Sequence, residues 1–155
     1  MKFDLCGIIR LILLLLIVAT VSFIFIQSTY PPEESGEKSD AVGDILAEII
    51  PPDTPVGGYV QDNVRKLAHF VEFSLLGIFV SLYVYMSYRK IPVVIATYFS
   101  GLLVALIDET IQIFSMRGAN VADVWLDFLG YTVGTVIIYT VCSIYSFIRK
   151  KCKQK

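Results

Sequence analysis

The chain is poor in charge. Only 17% of its 155 residues are Asp, Glu, Lys or Arg, while 55% are hydrophobic. A soluble domain carries about 25% charged and about 45–50% apolar residues. Mean hydropathy is correspondingly high, at +0.68. The apolar residues come in blocks rather than stripes, which excludes an ordinary soluble globule and points to a membrane protein. Cysteine is also scarce: Cys6, Cys142 and Cys152 are the only three. No internal repeat and no long low-complexity tract is present, so one domain over 1–155 is expected.

Acids are missing from one side of the chain's charge map. A membrane helix needs about 20 mostly apolar residues, and four stretches qualify: Ile8–Ile26, Ala68–Met86, Pro92–Phe114 and Val124–Ile148. Nine of the 13 cations, including Lys2, Arg10, Arg89, Lys90 and Arg149, group with the amino terminus. Of the 14 acids, only Asp4 joins them. Because cytoplasmic loops are enriched in Lys and Arg, both termini are expected in the cytoplasm. The cysteines then lie on or toward the reducing side, and no disulfide is expected. A formal charge of −1 gives no support for a nucleic-acid partner. The first apolar run exceeds a signal h-region of about 7–15 residues, and no A-x-A site follows it, so a retained helix is expected.

Between the spans, segment 27–40 (QSTYPPEESGEKSD) is expected to be irregular. In 41–50 (AVGDILAEII), Val42, Ile45, Leu46, Ile49 and Ile50 form one helical face. Ser39 or Asp40 would cap this helix and Pro51-Pro52 would stop it. It would either pack over the mouth of the bundle or lie in the membrane surface. Segment 51–62 reads as a turn-rich link, 89–92 as a tight cytoplasmic turn and 149–155 as a basic anchor for anionic lipid. The fold class is therefore all-α: a four-span bundle with a short extracytoplasmic amphipathic helix within 27–67.

Three spans share a spacing. Positions 0, 4, 7 and 11 of a helix fall within about 60° of each other. In the second span these are Arg65, His69, Glu72 and Leu76; in the third, Gly101, Ala105, Asp108 and Gln112; in the fourth, Asp123, Asp127, Gly130 and Gly134. Small residues let helix backbones approach closely in lipid, so they mark inward faces. The polar residues continue those faces and should point inward as well. Glu109 lies about 100° from Asp108 and would reach a neighbouring helix or the mouth. Trp125 and the tyrosines 30, 83, 85 and 88 fit an interfacial aromatic belt.

Five acids, Glu72, Asp108, Glu109, Asp123 and Asp127, then face only three cations, Arg65, Lys66 and Arg117. Either some carboxyls carry protons, or an outside cation is bound, or water fills the mouth. Ionisable groups on the inner faces of spans form a candidate functional site. Asp108, Glu109, Asp123 and His69 are candidate acid/base groups. His69 and Glu72, an i, i+3 pair, resemble half of a metal site, with Asp108 and Asp123 as further candidate ligands. Each has a plainer reading: a hydrogen-bonded histidine, or helix-start acids at Asp123 and Asp127. Arg117 either caps the third helix and pairs with Asp123, or serves as a forked anion binder.

RKLAHFVEFSLLG and DETIQIFSMRGANVADVWLDFLG together resemble the VanZ-like family of small bacterial membrane proteins. The shared pattern falls on Lys66, His69, Phe70, Asp108, Glu109, Gln112, Phe114, Arg117, Asp123 and Gly130, and the layout extends over roughly residues 5–148. Asp127 stands where the family pattern has Asn, which adds a potential negative charge. The family takes its name from a protein that gives resistance to the glycopeptide teicoplanin. The resemblance implies a multi-pass protein of the bacterial cell membrane, acting at the envelope through an outward-facing polar pocket. A glycopeptide or cell-wall precursor would be its ligand, held by Lys66, His69, Glu72, Asp108, Glu109, Gln112, Arg117, Asp123 and Asp127. The alternative is a membrane enzyme acting on a lipid-linked or phosphate-bearing envelope substrate. No organic cofactor is expected; a divalent cation is the candidate. Transport is a weaker reading, because the inner halves of the spans hold no acid.

Overall fold

The structure, a computed structural model, describes residues 4–88, 91–118 and 120–153. These form six helices: α1 (Leu5–Ser28), α2 (Pro32–Ala47), α3 (Pro55–Asp62), α4 (Val64–Ser87), α5 (Ile91–Phe114) and α6 (Val121–Lys153). No strand occurs among the described residues. α1, α4, α5 and α6 are long and apolar enough to cross a membrane.

α4 is the hub. It touches each of the other five helices and packs most extensively on α6, while α5 closes the bundle against α6 and α1. In lipid, helices gain little by hiding apolar surface from each other, so close backbone contact must hold them. The α4–α6 seam is built that way. A Cβ added at Gly130 or Gly134 would overlap the backbone carbonyl of Phe70 or Ser74. From the opposite side, a Cβ at Gly77 would meet the carbonyl of Tyr131. The Tyr131 ring covers Gly101, and its hydroxyl donates to the Thr97 carbonyl at 2.9 Å. Ile24, Phe73, Leu76, Ala105, Val124 and Tyr131 make the buried apolar core. Residues such as Leu15, Phe99, Leu103 and Ile144 lie on the outside, where lipid is their natural solvent.

The polar segment between α1 and α4 departs from expectation. Residues 27–40 are not irregular: α2 begins at Pro32, with Pro in its first turn followed by Glu33 and Glu34. Pro is pre-organised for a helix start, and acids there favour the helix dipole. The side chain of Ser39 does not cap a helix; its hydroxyl donates to the Ser35 carbonyl one turn back. α2 ends at Ala47, before the expected Ile50. The link 51–62 contains a further helix, α3, capped by Thr54, whose Oγ1 accepts the Gly57 N–H at 3.0 Å.

The inward side of α2 also differs from the apolar face read in the sequence. Ser35 and Gly43 are buried, and the Gly43 carbonyl accepts from Gln61 Nε2 at 2.8 Å. Ile45 and Ile49 are exposed instead, and Val42 is half-exposed at the edge of a cavity against α1 and α4. In the expected turn at 89–92, Arg89 and Lys90 lie outside the described residues. The basic tail continues α6 as helix to Lys153, with Lys151 Nζ 4.7 Å from the Phe147 ring centre. Cys6 and Cys142 are free thiols.

Candidate functional site

One end of the bundle gathers the C-terminal turns of α1 and α5 with the N-terminal turns of α4 and α6. Helix periodicity sets the side chains. His69 and Glu72 face inward from α4, Asp108 and Gln112 from α5, and Asp127 from α6. All are substantially enclosed, Asp108 completely.

Asp108 is the best satisfied of the acids. Ser28 Oγ donates to its Oδ1 at 2.5 Å, and Gln112 Nε2 donates to its Oδ2 at 2.9 Å. Its Oδ2 lies 3.8 Å from His69 Nδ1, and Glu72 Oε2 lies 3.9 Å from the same nitrogen. Both separations exceed hydrogen-bond length. His69 Nδ1 and Glu72 Oε2 are buried without a hydrogen-bond partner among the described residues. A ligand atom from each of His69, Asp108 and Asp127 lies within 4.8 Å of the others, so these three can reach a common ion. Asp123, which spacing alone makes a fellow metal candidate, lies instead toward the rim, and Asp127 takes its position in the inner group.

The connector from α5 to α6 aims Arg117. The Met116 N–H donates to Ile113 and the Arg117 N–H to Gln112, with Met116 at φ 60°. This is a Schellman end, whose left-handed residue turns the chain back over the helix. Arg117 thereby returns to the bundle and is 5% exposed. Its Nη1 donates at 3.1 Å to the carbonyl of Gln27, in the last turn of α1. It therefore serves the C-terminal end of α1, not a side-chain pair with Asp123. Its Nε and Nη2 have no hydrogen-bond partner among the described residues. Burial lowers the pKa of the guanidinium from its ordinary value, and neighbouring Arg65 adds to this; Asp108 and Glu109 oppose both.

Asp123 pairs with Lys66 at 3.8 Å, on the half-open rim. Glu109 acts locally, its Oε1 accepting the Asn120 N–H at 2.5 Å. Asn120 in turn caps α6, its Oδ1 accepting the Ala122 N–H at 3.1 Å. Glu109 thus ties the end of α5 to the start of α6.

Two cavities meet at His69. The larger, about 90 Å³, opens between α1, α2 and α4 and is lined by Gln27, Tyr30, Arg65, His69, Glu72 and Arg117, among others. The smaller, about 10 Å³, is lined by Arg65, Lys66, His69, Gln112, Asp123 and Asp127 with Leu126. Of the expected residues, Glu72 and Arg117 line the first cavity, Lys66, Gln112, Asp123 and Asp127 the second, and His69 both; Asp108 packs behind them and Glu109 lines neither, so they form a polar layer rather than a single chamber. Sequence reasoning misses the contributions of α1, through Gln27 and Ser28, because only the three later spans carry ionisable groups there. It also misses Asn120, although Asn three residues before Asp123 is a readable helix-start signal.

No curated protein and no solved structure matches the chain. A family model described as VanZ/LLP1 matches residues 11–144, which include all four apolar helices for most of their length and the whole polar layer. The chain is a multi-pass membrane protein that belongs to the VanZ/LLP1 family.

Proposed function

We propose that this VanZ-like protein acts at the cell envelope by holding an anionic envelope ligand in the cavity between α1, α2 and α4. The observation that carries this reading is Arg117. A guanidinium 5% exposed, with Nε and Nη2 unpartnered beside a cavity of about 90 Å³, offers a fork matched to a carboxylate or phosphate. Arg65 lines the same cavity and makes no ion pair with a described residue. Lys38 lines it too, but is already engaged, 3.3 Å from Glu34 and over the Tyr30 ring. The asymmetry of Lys and Arg supports an outward placement for this end of the bundle in the bacterial cell membrane, with both termini inside. A glycopeptide or a cell-wall precursor, both bearing anionic groups, are the ligands this arrangement suits. Resistance to teicoplanin-type antibiotics would follow from that binding.

The test compares a deletion strain with strains re-expressing wild type and Arg117→Gln at equal membrane levels. Deletion should raise sensitivity to teicoplanin-type drugs, and wild type alone should restore resistance. Unchanged susceptibility on deletion and on overexpression would overturn the reading.

A second reading is supported by the approach of His69, Asp108 and Asp127. Carboxylates and an imidazole beside an anion cavity suit a membrane enzyme acting on a lipid-linked or phosphate-bearing substrate. Mass spectrometry of envelope lipids from an Asp108→Asn strain decides it: an unaltered lipid profile speaks against catalysis.

A further inference from the structure

The smaller cavity has a chemistry the larger one lacks. Its volume, about 10 Å³, is close to that of one water-sized sphere. His69 on α4 and Asp127 on α6 both line it, and Asp108 on α5 completes the approach within 4.8 Å. Acids that gather at helix starts do so for many reasons, so convergence alone does not make a site.

Two further features set this one apart. Asp127 is 2% exposed and forms no hydrogen bond or ion pair with a described residue. A lone buried carboxylate of this kind is costly to desolvate unless a proton or a cation meets it. His69 Nδ1 is likewise unpartnered, with its nearest acids at 3.8 and 3.9 Å. The surrounding cations do not supply the missing charge. Lys66 is within ion-pair distance of Asp123 alone, and neither Arg65 nor Arg117 pairs with a described acid. Asp108, by contrast, is held in place by Ser28 and Gln112, as outer hydrogen bonds hold metal-ligating carboxylates.

We propose that His69, Asp108 and Asp127 bind one divalent first-row transition-metal ion of the zinc type. One imidazole and two carboxylates are the ligand set such ions accept, with a position left open. Calcium, which takes roughly six to eight oxygens, is poorly served here. No thiol lies among the described residues of the layer to favour monovalent copper. Two ionised carboxylates and a dication also sum to a neutral unit, which a membrane interior tolerates far better than bare carboxylates.

The test uses the full chain in detergent, stripped with a chelator and kept in phosphate-free buffer, so it does not depend on any anion ligand. Zinc chloride is titrated by calorimetry, and cobalt(II) by visible absorption. Wild type should bind one zinc per chain, and zinc should raise its melting temperature. Asp127→Asn, which keeps the side-chain shape, should bind at least about tenfold more weakly. Asp44→Asn, which removes an exposed acid on α2, should bind as wild type. Equal binding by wild type and Asp127→Asn, or equal weakening by both variants, overturns the proposal. Should Asp127→Asn not remain monodisperse, the wild-type cobalt spectrum decides. Ligand-field bands abolished by one equivalent of zinc support the site, and their absence overturns it.

Discussion

Ser28 and Asp108 stand 80 residues apart in sequence and 2.5 Å apart in space, hydroxyl to carboxylate, both fully buried. This bond joins the first span, which has no ionisable group at that end, to the polar layer of the other three. It also decides how Asp108 is presented. With Oδ1 turned to Ser28 and Oδ2 to Gln112, the carboxylate is fixed on two sides.

Ser28→Ala should therefore destabilise the bundle by about 1–3 kcal/mol, because it leaves a buried acceptor without its donor. Ser28→Thr keeps the hydroxyl and should recover part of the loss. Thermal unfolding in detergent, followed by circular dichroism, measures both. An unchanged midpoint for Ser28→Ala would show that the bond adds nothing to stability.

The inward stacking of His69, Asp108 and Asp127 is legible in the sequence because it depends only on local helical periodicity. The four spans are legible for a similar reason: length and apolar content are local quantities. The role of Ser28 is not, since its partner depends on which helix lies next to α1. The composition of segment 27–40 reads as irregular, yet a proline at a first helical turn, here Pro32, starts a helix. For Arg117, the sequence leaves open a pair with Asp123 and an anion fork. The structure removes the first, giving Arg117 the Gln27 carbonyl through a left-handed turn at Met116 that no spacing rule places there.

The α4–α6 seam makes a sharp steric prediction. A methyl at Gly134 would meet the Ser74 carbonyl and the Ile78 N–H, both backbone, so neither can swing aside. Gly134→Ala should cost about 1–3 kcal/mol. Gly36, within α2, has nothing within 4 Å of an added methyl. Gly36→Ala should instead stabilise by about 0.5–1 kcal/mol through helix propensity. Opposite shifts in melting temperature are expected, and a neutral Gly134→Ala would mean that the seam can open without loss.

Glu109 serves the connector between α5 and α6. Its partner is the Asn120 N–H, not the inner cavities. Glu109→Gln keeps an acceptor oxygen and should cost under about 1 kcal/mol, whereas Glu109→Ala should cost about 1.5–3 kcal/mol. Trypsin cleavage at Arg117 gives an independent readout. It should accelerate in Glu109→Ala, where the connector loses its tie, and stay slow in Glu109→Gln.

Met116 carries the left-handed turn that sends Arg117 inward. That conformation costs an L-residue about 1–2 kcal/mol, which glycine avoids. Glycine also gains about 0.5–1 kcal/mol of freedom in the unfolded chain, which offsets part of the benefit. Met116→Gly should thus be slightly stabilising, by up to about 1 kcal/mol, since the Met116 side chain is 87% exposed and little packing is lost. Met116→Pro cannot adopt φ 60° and would lose the N–H that bonds Ile113. It should redirect Arg117 and open the connector. If the turn is what aims Arg117, then Met116→Pro but not Met116→Gly should lose whatever phenotype Arg117→Gln loses, with both proteins inserted in the membrane at normal levels. Full function in Met116→Pro would show that Arg117 reaches the cavity without the turn.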